Sequence, residues 1–152
     1  MNPGESVRVG DAIRALTLPP LTASTLGGYA EASGDHAAVH LDRTYARAMG
    51  FPDVIAHGLL VMAYLGRALT DWQPVSCLRS FSCRFVAVAL PGERLACHGI
   101  VAALREQDDE QLADLELEVR NEHAELKLQG RATVLIARSR SAAQGPAPRE
   151  EG

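Results

Sequence analysis

The run from Gly58 to Thr70 constrains the fold more than any other part of the chain. It is apolar on nearly every position and Arg67 is its sole charge. A helix at a protein surface shows one apolar stripe, whereas a helix apolar all round needs cover on all sides. The run is too short for a bilayer span, which takes roughly twenty residues. The rest of the chain must therefore wrap it, and the downstream sequence has the right pattern. Leu115, Leu117 and Val119 alternate with Glu116, Glu118 and Arg120. Leu126, Leu128, Gly130, Ala132 and Val134 alternate with Glu125, Lys127, Gln129, Arg131 and Thr133. That period of two is the mark of half-buried strands with one wet face each. Val75 to Leu90 is also rich in strand formers, although Arg79 and Arg84 interrupt it. Pro91-Gly92 marks a turn, Leu95 to Leu104 reads as a further strand, and the charged run Arg105 to Glu110 closes a hairpin. A sheet must bury one face and this helix needs covering, so the expectation is an α+β domain: a curled antiparallel sheet wrapped around a central buried helix. Its open edge strands predict a homodimer, which would pair them.

The first half supplies shorter elements. Val7 to Leu18 reads as one or two extended segments that end at Pro19-Pro20. A helix starts at Thr22 as N-cap and runs to about Ala32, with Leu26, Tyr29 and Ala30 on one face; Ser33-Gly34 stops it. Asp35 to His40 is expected to be irregular. Asp42 or Thr44 then caps a short helix to Met49, and Phe51-Pro52-Asp53 turns the chain. Residues 1–138 are read as one domain, and the polar, Pro/Gly-rich residues 139–152 as a disordered tail.

The totals exclude some functions. A net charge of -4 argues against a nucleic-acid binder. Cys77, Cys83 and Cys97 are an odd number of thiols at spacings that match no zinc pattern, and all lie in strand-like runs; reduced, buried thiols of a cytoplasmic protein are the expectation. Met1 to Ser6 carries no apolar run, so neither a signal peptide nor a membrane anchor is expected. No Gly-rich phosphate loop and no Gly-x-Ser-x-Gly elbow is present in the sequence.

Two places could do chemistry. Asp35 and His40 lie five residues apart. On a helix that spacing separates them by roughly 140°, and on a strand an odd offset sends them to opposite faces. They can converge only through an irregular turn, which Gly34 and the small Ala37-Ala38 pair permit. A carboxylate and an imidazole that converge can polarise one water, as in general acid/base catalysis. Spacing alone also allows a turn-capping Asp and a half-buried structural His. The second place is the start of the apolar helix at His57-Gly58. A helix N-terminus presents unpaired N–H groups and partial positive charge, and Gly58 lets a ligand approach closely. Such a site suits an oxyanion, although Gly58 could equally be a tolerant first-turn residue. His57 either lines the site or packs at the helix entry; packing is the simpler reading, and His57 stays a substrate-binding candidate beside Gly58. His36, His98 and His123 read as surface or structural residues, and Arg79 and Arg84 as solvated or paired.

The stretch Tyr29-Ala30-Glu31-Ala32-Ser33-Gly34-Asp35-His36-Ala37-Ala38-Val39-His40 resembles the signature of the MaoC-like dehydratases, or R-specific enoyl hydratases. Ile55-Ala56-His57-Gly58-Leu59-Leu60 is similar to a later family block, as is Arg84-Phe85 leading to Pro91-Gly92-Glu93. The resemblance covers roughly residues 5–137. It implies a hot-dog fold, usually dimeric, and reversible syn addition of water to a trans-2-enoyl thioester to give an R-3-hydroxyacyl thioester. It implies that Asp35 and His40 hold the water, with Asp35 as base, and that the Gly58 amide holds the thioester oxygen. It implies no metal and no redox cofactor, and an acyl group carried on coenzyme A or an acyl carrier protein. Ala37-Ala38 departs from the family's Asn-Pro. That departure keeps open a non-catalytic hot-dog subunit that binds acyl thioesters or scaffolds an active partner. A hot-dog thioesterase is the other alternative, because fold does not fix chemistry. Residues such as Met62, Tyr64 and Phe85 are expected to shape an acyl tunnel.

Overall fold

The computed structural model describes residues 7–138; the expected disordered tail, 139–152, lies outside the described residues. Strand β1 is short (Leu16–Thr17) and is followed by helices α1 (Ala23–Ser33), α2 (Ala38–Leu41), α3 (Arg43–Ala48) and α4 (Gly58–Trp72). A 3-10 turn, Val75–Cys77, leads into strands β2 (Leu78–Phe85), β3 (Leu95–Gln107), β4 (Glu110–Asn121) and β5 (Leu126–Arg138). The strands form one antiparallel sheet in the order β1-β3-β4-β5-β2. Helix α4 packs on it, touching β1, β2, β3 and β4.

Local chemistry explains where most elements begin and end. Thr22 caps α1 by accepting a hydrogen bond from the Thr25 N–H, and Gly34 ends it in the left-handed region at φ 77°. Asp42, rather than Thr44, caps α3 by accepting from the N–H groups of Thr44 and Tyr45. The β3–β4 hairpin turns on Asp108 and Asp109, whose φ values of 51° and 62° are those of a tight two-residue turn matched to strand twist. Leu65 and Leu69 of α4 meet Leu95, Val101, Leu115, Val119 and Leu128 of the sheet in a core closed to solvent. The thiols are free, Cys97 is buried, and its burial pushes its pKa up to about 12. No helix among the described residues is long and apolar enough to cross a membrane.

Three expectations need correction. Helix α4 is not covered on every side: Leu60, Val61, Leu65, Ala68 and Leu69 are buried, whereas Leu59 is 60% exposed and Ala63, Arg67 and Thr70 also face out. The sheet of one chain reaches only one side of the helix. The strand expected over Val75 to Leu90 ends at Phe85, and Val86 to Leu90 leaves the sheet as a strap. Lys127, expected on the wet face, is 3% exposed. The last two share a cause. Val119 pairs with Leu128 and Arg120 with Leu126, so Lys127 is the extra residue of a bulge in β5. A bulge re-aims its side chain and interrupts the ladder. The N–H groups of both Val86 and Ala87 then converge on the Lys127 carbonyl, at 2.9 and 3.2 Å, and β2 cannot continue.

Candidate active site

The loop after α1 is shaped by its own side chains. Ser33 Oγ donates to the Tyr29 carbonyl and accepts from the Asp35 N–H. Asp35 Oδ1 accepts from the Ala37 N–H at 3.2 Å, an Asx-type turn. The segment is irregular only from Gly34 to Ala37; Ala38–Leu41 then makes one helical turn, and that turn brings His40 round to Asp35. Ala37 occupies its N-cap position and makes no side-chain cap bond.

Asp35 and His40, which regular structure would keep apart, meet here. Asp35 Oδ2 stands 4.0 Å from His40 Nε2, with the carboxylate half exposed and the imidazole mostly buried. The His40 tautomer follows from its other nitrogen. Nδ1 lies 2.7 Å from the Ile55 carbonyl, which can only accept, so Nδ1 carries the hydrogen. In the neutral ring Nε2 is then a bare acceptor that faces a second acceptor, the Asp35 carboxylate. Two acceptors at that separation leave room for a donor to both, and a water molecule supplies two O–H groups.

His57 is fully packed, at 1% exposure, as the simpler reading of the sequence expected. Its ring stacks on His40 with centroids 3.8 Å apart and tilts against Tyr29 at 4.9 Å. Its Nε2 donates to the Asp35 backbone carbonyl at 3.0 Å, tying the helix start to the acid's loop. Nδ1 of the same ring is buried with no partner among the described residues. Asp35, His40 and His57 bring ligand-capable atoms within 4.8 Å of one another. One nitrogen of each ring is already committed, His40 Nδ1 to the Ile55 carbonyl and His57 Nε2 to the Asp35 carbonyl.

Gly58 begins α4, and the first helical bonds run from Leu60 and Val61 to the His57 carbonyl. This leaves the Gly58 and Leu59 amides as donors at the helix start. The Phe85 ring lies against Gly58 so closely that a Cβ there would sit 3.1 Å from it. His40 and Gly58 share a cavity of about 280 Å³ with Ile55, Phe85, Val88 and Lys127. Of the expected tunnel residues Phe85 lines this cavity, while Met62 and Tyr64 pack against the core. A larger cavity, about 690 Å³, lies over the polar face of the sheet among residues such as Arg84, His98 and Glu116. Some of the side chains around it are committed: Arg84 bonds Gln129, and Glu118 is held by both ends of the Arg120 guanidinium. Arg79 is likewise paired, with Glu110, and His36 faces solvent beside Glu31.

The residue that sequence reading missed is Lys127. Its Nζ donates to the Val88 carbonyl (2.9 Å), Glu93 Oε1 (2.8 Å) and Glu125 Oε2 (2.7 Å). Asn121 donates to the same two carboxylate oxygens, and Glu93 Oε2 accepts from the Leu90 N–H. Burial alone would lower the ammonium's pKa, but the two carboxylates outweigh it and raise the value above the usual lysine range. In the sequence, the available hint was a like-facing Glu125/Lys127 pair, which reads equally well as two solvated neighbours.

Comparison with known proteins bears on this site. The family described as MaoC like domain matches residues 5–125. The fatty acid synthase subunit beta of Aspergillus oryzae is 36% identical over 107 residues, which are 60% of this chain and 5% of that one; the chain thus spans a small fraction of that relative. The mitochondrial 3-hydroxyacyl-[acyl-carrier-protein] dehydratase of Arabidopsis thaliana is 27% identical over 131 residues, 86% of this chain and 78% of that protein. Among solved structures, the (R)-hydratase from A. caviae involved in PHA biosynthesis superposes with a TM-score of 0.75 at 24% identity, covering 88% of this chain and 100% of that one.

Proposed function

The chain belongs to the MaoC-like family, with its hot-dog fold, and from that premise we propose that it is an R-specific enoyl-thioester hydratase, equally a 3-hydroxyacyl-thioester dehydratase. The observation that carries the reading is the pair of facing acceptors, Asp35 Oδ2 and His40 Nε2, 4.0 Å apart. A water that donates to both turns its oxygen lone pair outward. With the thioester oxygen at the amides of the α4 start, that lone pair attacks C3 of the conjugated double bond. The C3–O bond forms, the π electrons move onto C2 and the thioester oxygen, and the helix start stabilises the enolate. One water proton passes to the Asp35/His40 pair, and the pair returns a proton to C2 on the same face, which makes the addition syn. Elimination is the same path reversed.

The acyl group rides on coenzyme A or an acyl carrier protein, as the hydratase and dehydratase relatives support. The eight-residue edge strand β2, with exposed Phe85, supports a homodimer. A stable monomer in micromolar sedimentation would remove that part.

The departure at Ala37-Ala38 favours a second reading, a non-catalytic acyl-binding subunit. These alanines fall on the N-cap and first helical position of α2, where Asn and Pro are the favoured residues. The loop shape is nevertheless held by Asp35 Oδ1 and Ser33 Oγ, which supports retained activity. The deciding experiment follows loss of the enoyl-thioester absorbance of crotonyl-CoA, with chiral analysis of the product. R-3-hydroxybutyryl-CoA is expected. No hydration on any chain length supports the binding subunit, and release of free thiol instead supports a thioesterase.

A further inference from the structure

One wall of the cavity that His40 lines is not regular structure. It is the strap from Val86 to Ala89, and β5, the strand it borders, is interrupted there by the bulge. An unpaired strap of this kind would ordinarily be among the first segments to open. Lys127 prevents that from both ends of the same residue. Its carbonyl accepts from the N–H groups of Val86 and Ala87, while its ammonium, reached through the protein interior, donates to the carbonyl of Val88. Glu93, in the turn where the strap ends, fixes the ammonium and accepts from the Leu90 N–H. The Ala56 N–H donates to the Ala89 carbonyl and joins the strap to the segment that leads into Gly58.

A buried ion cluster is a poor source of stability, since apolar residues of similar volume often serve as well. An ammonium anchored behind a strap whose own side chains, Val86 to Ala89, are all apolar therefore points to a role in geometry. The cavity holds about 280 Å³, at the small end of ligand sites, which run from about 300 to 1,000 Å³. We propose that Lys127 is a specificity-determining positioning residue: by pinning the strap at Val86, Ala87 and Val88 it closes the acyl pocket and restricts the protein to short-chain acyl thioesters. The inference rests on the hydratase reading for the identity of the ligand, and it is tested without turnover.

The experiment is calorimetric binding of two saturated, unreactive thioesters, butyryl-CoA and octanoyl-CoA. Each additional methylene that is buried is worth about fourfold in affinity. In the wild type the tail of octanoyl-CoA finds no room, and the two affinities are expected within threefold of each other. In Lys127→Met the strap loosens, octanoyl-CoA gains tenfold or more over butyryl-CoA, and amide hydrogen exchange at Ala56, Val86 and Ala87 quickens. The double variant Lys127→Met/Glu93→Gln leaves no buried carboxylate unpaired; it carries the same expectation if the single variant does not fold. A residue that merely stabilised the fold would change the melting temperature and leave the chain-length ratio alone. The proposal is overturned if octanoyl-CoA already binds the wild type tenfold tighter, if the folded variants keep the wild-type ratio, or if the wild type does not bind butyryl-CoA. Binding of butyryl-CoA with no hydration of any enoyl thioester overturns the hydratase reading and leaves this one standing.

Discussion

Two irregular segments serve the candidate site, the loop that carries Asp35 and the strap that walls the cavity, and they are held by different means. The loop from Gly34 to Ala37 is shaped mainly by near neighbours, with Ser33, Asp35 and Ala37 bonding across two residues and a single long-range tie from His57 to the Asp35 carbonyl. Its carboxylate is half exposed and serves no distant part of the fold. The strap from Val86 to Leu90 is held by residues far away in sequence, with Lys127 reaching Val88 across 39 positions and Glu93 across 34. Its ammonium is buried and the Glu93 carboxylate is largely so, while Glu125 reaches solvent. The first segment presents the proposed acid/base group and should tolerate chemical change at little structural expense. The second shapes space, and loss of its buried ammonium leaves the Glu93 carboxylate without its cation. The contrast predicts that activity and stability separate between the two segments.

The largest effect should come from Asp35→Asn. Removing the acid/base group should lower kcat for enoyl hydration by about 10²–10⁴, while a half-exposed surface change should leave urea stability within about 0.5 kcal/mol. Equal losses in both would break the contrast. Next, Lys127→Ala should do the reverse on stability. It strands the Glu93 carboxylate, and the unfolding free energy in urea should drop by about 3–5 kcal/mol. A loss under 1 kcal/mol would mean that water already solvates the cluster.

Ala37→Asn sharpens the loop's side of the comparison. It would supply the missing N-cap of α2, and a gain of about 1 kcal/mol in thermal or urea unfolding is expected. A variant that loses stability would show that the Asp35 turn and an Asn cap compete for the same amides. The smallest effect belongs to Glu125→Gln and is pH-dependent. Hydrogen bonding to Lys127 holds the Glu125 carboxyl below its ordinary value of 4.5. A depressed folded pKa gives stability that is present above the unfolded value and lost as the pH falls through the folded one. The melting temperature of the wild type should therefore exceed that of Glu125→Gln at neutral pH, and the gap should close only below about pH 4.5. A gap that persists in strong acid would assign it to packing.

Much of the candidate site was legible in the sequence because it is local. Gly34, Asp35 and the small pair Ala37-Ala38 announce a kinked turn, and a kinked turn is the one way for Asp35 to meet His40. The helical turn at Ala38–Leu41 was missed because four residues without a cap carry no periodicity to read. His57 could be placed at the helix entry but not identified as the tie between α4 and the Asp35 carbonyl. That bond joins residues 22 positions apart.

What the sequence by itself determined is whatever repeats or bonds within a few residues: the alternation of β4, the Thr22 and Gly34 caps of α1, the apolar face of α4, and the acid-imidazole pair. What only the tertiary structure decided is whatever depends on which partner a strand finds. Periodicity assigns Lys127 to solvent, as an uninterrupted ladder would place it. One unpaired position opposite Val119 and Arg120 turns the side chain inward, ends β2 at Phe85 and makes the wall of the cavity. Register is a property of two strands together, so no reading of β5 alone could have supplied it.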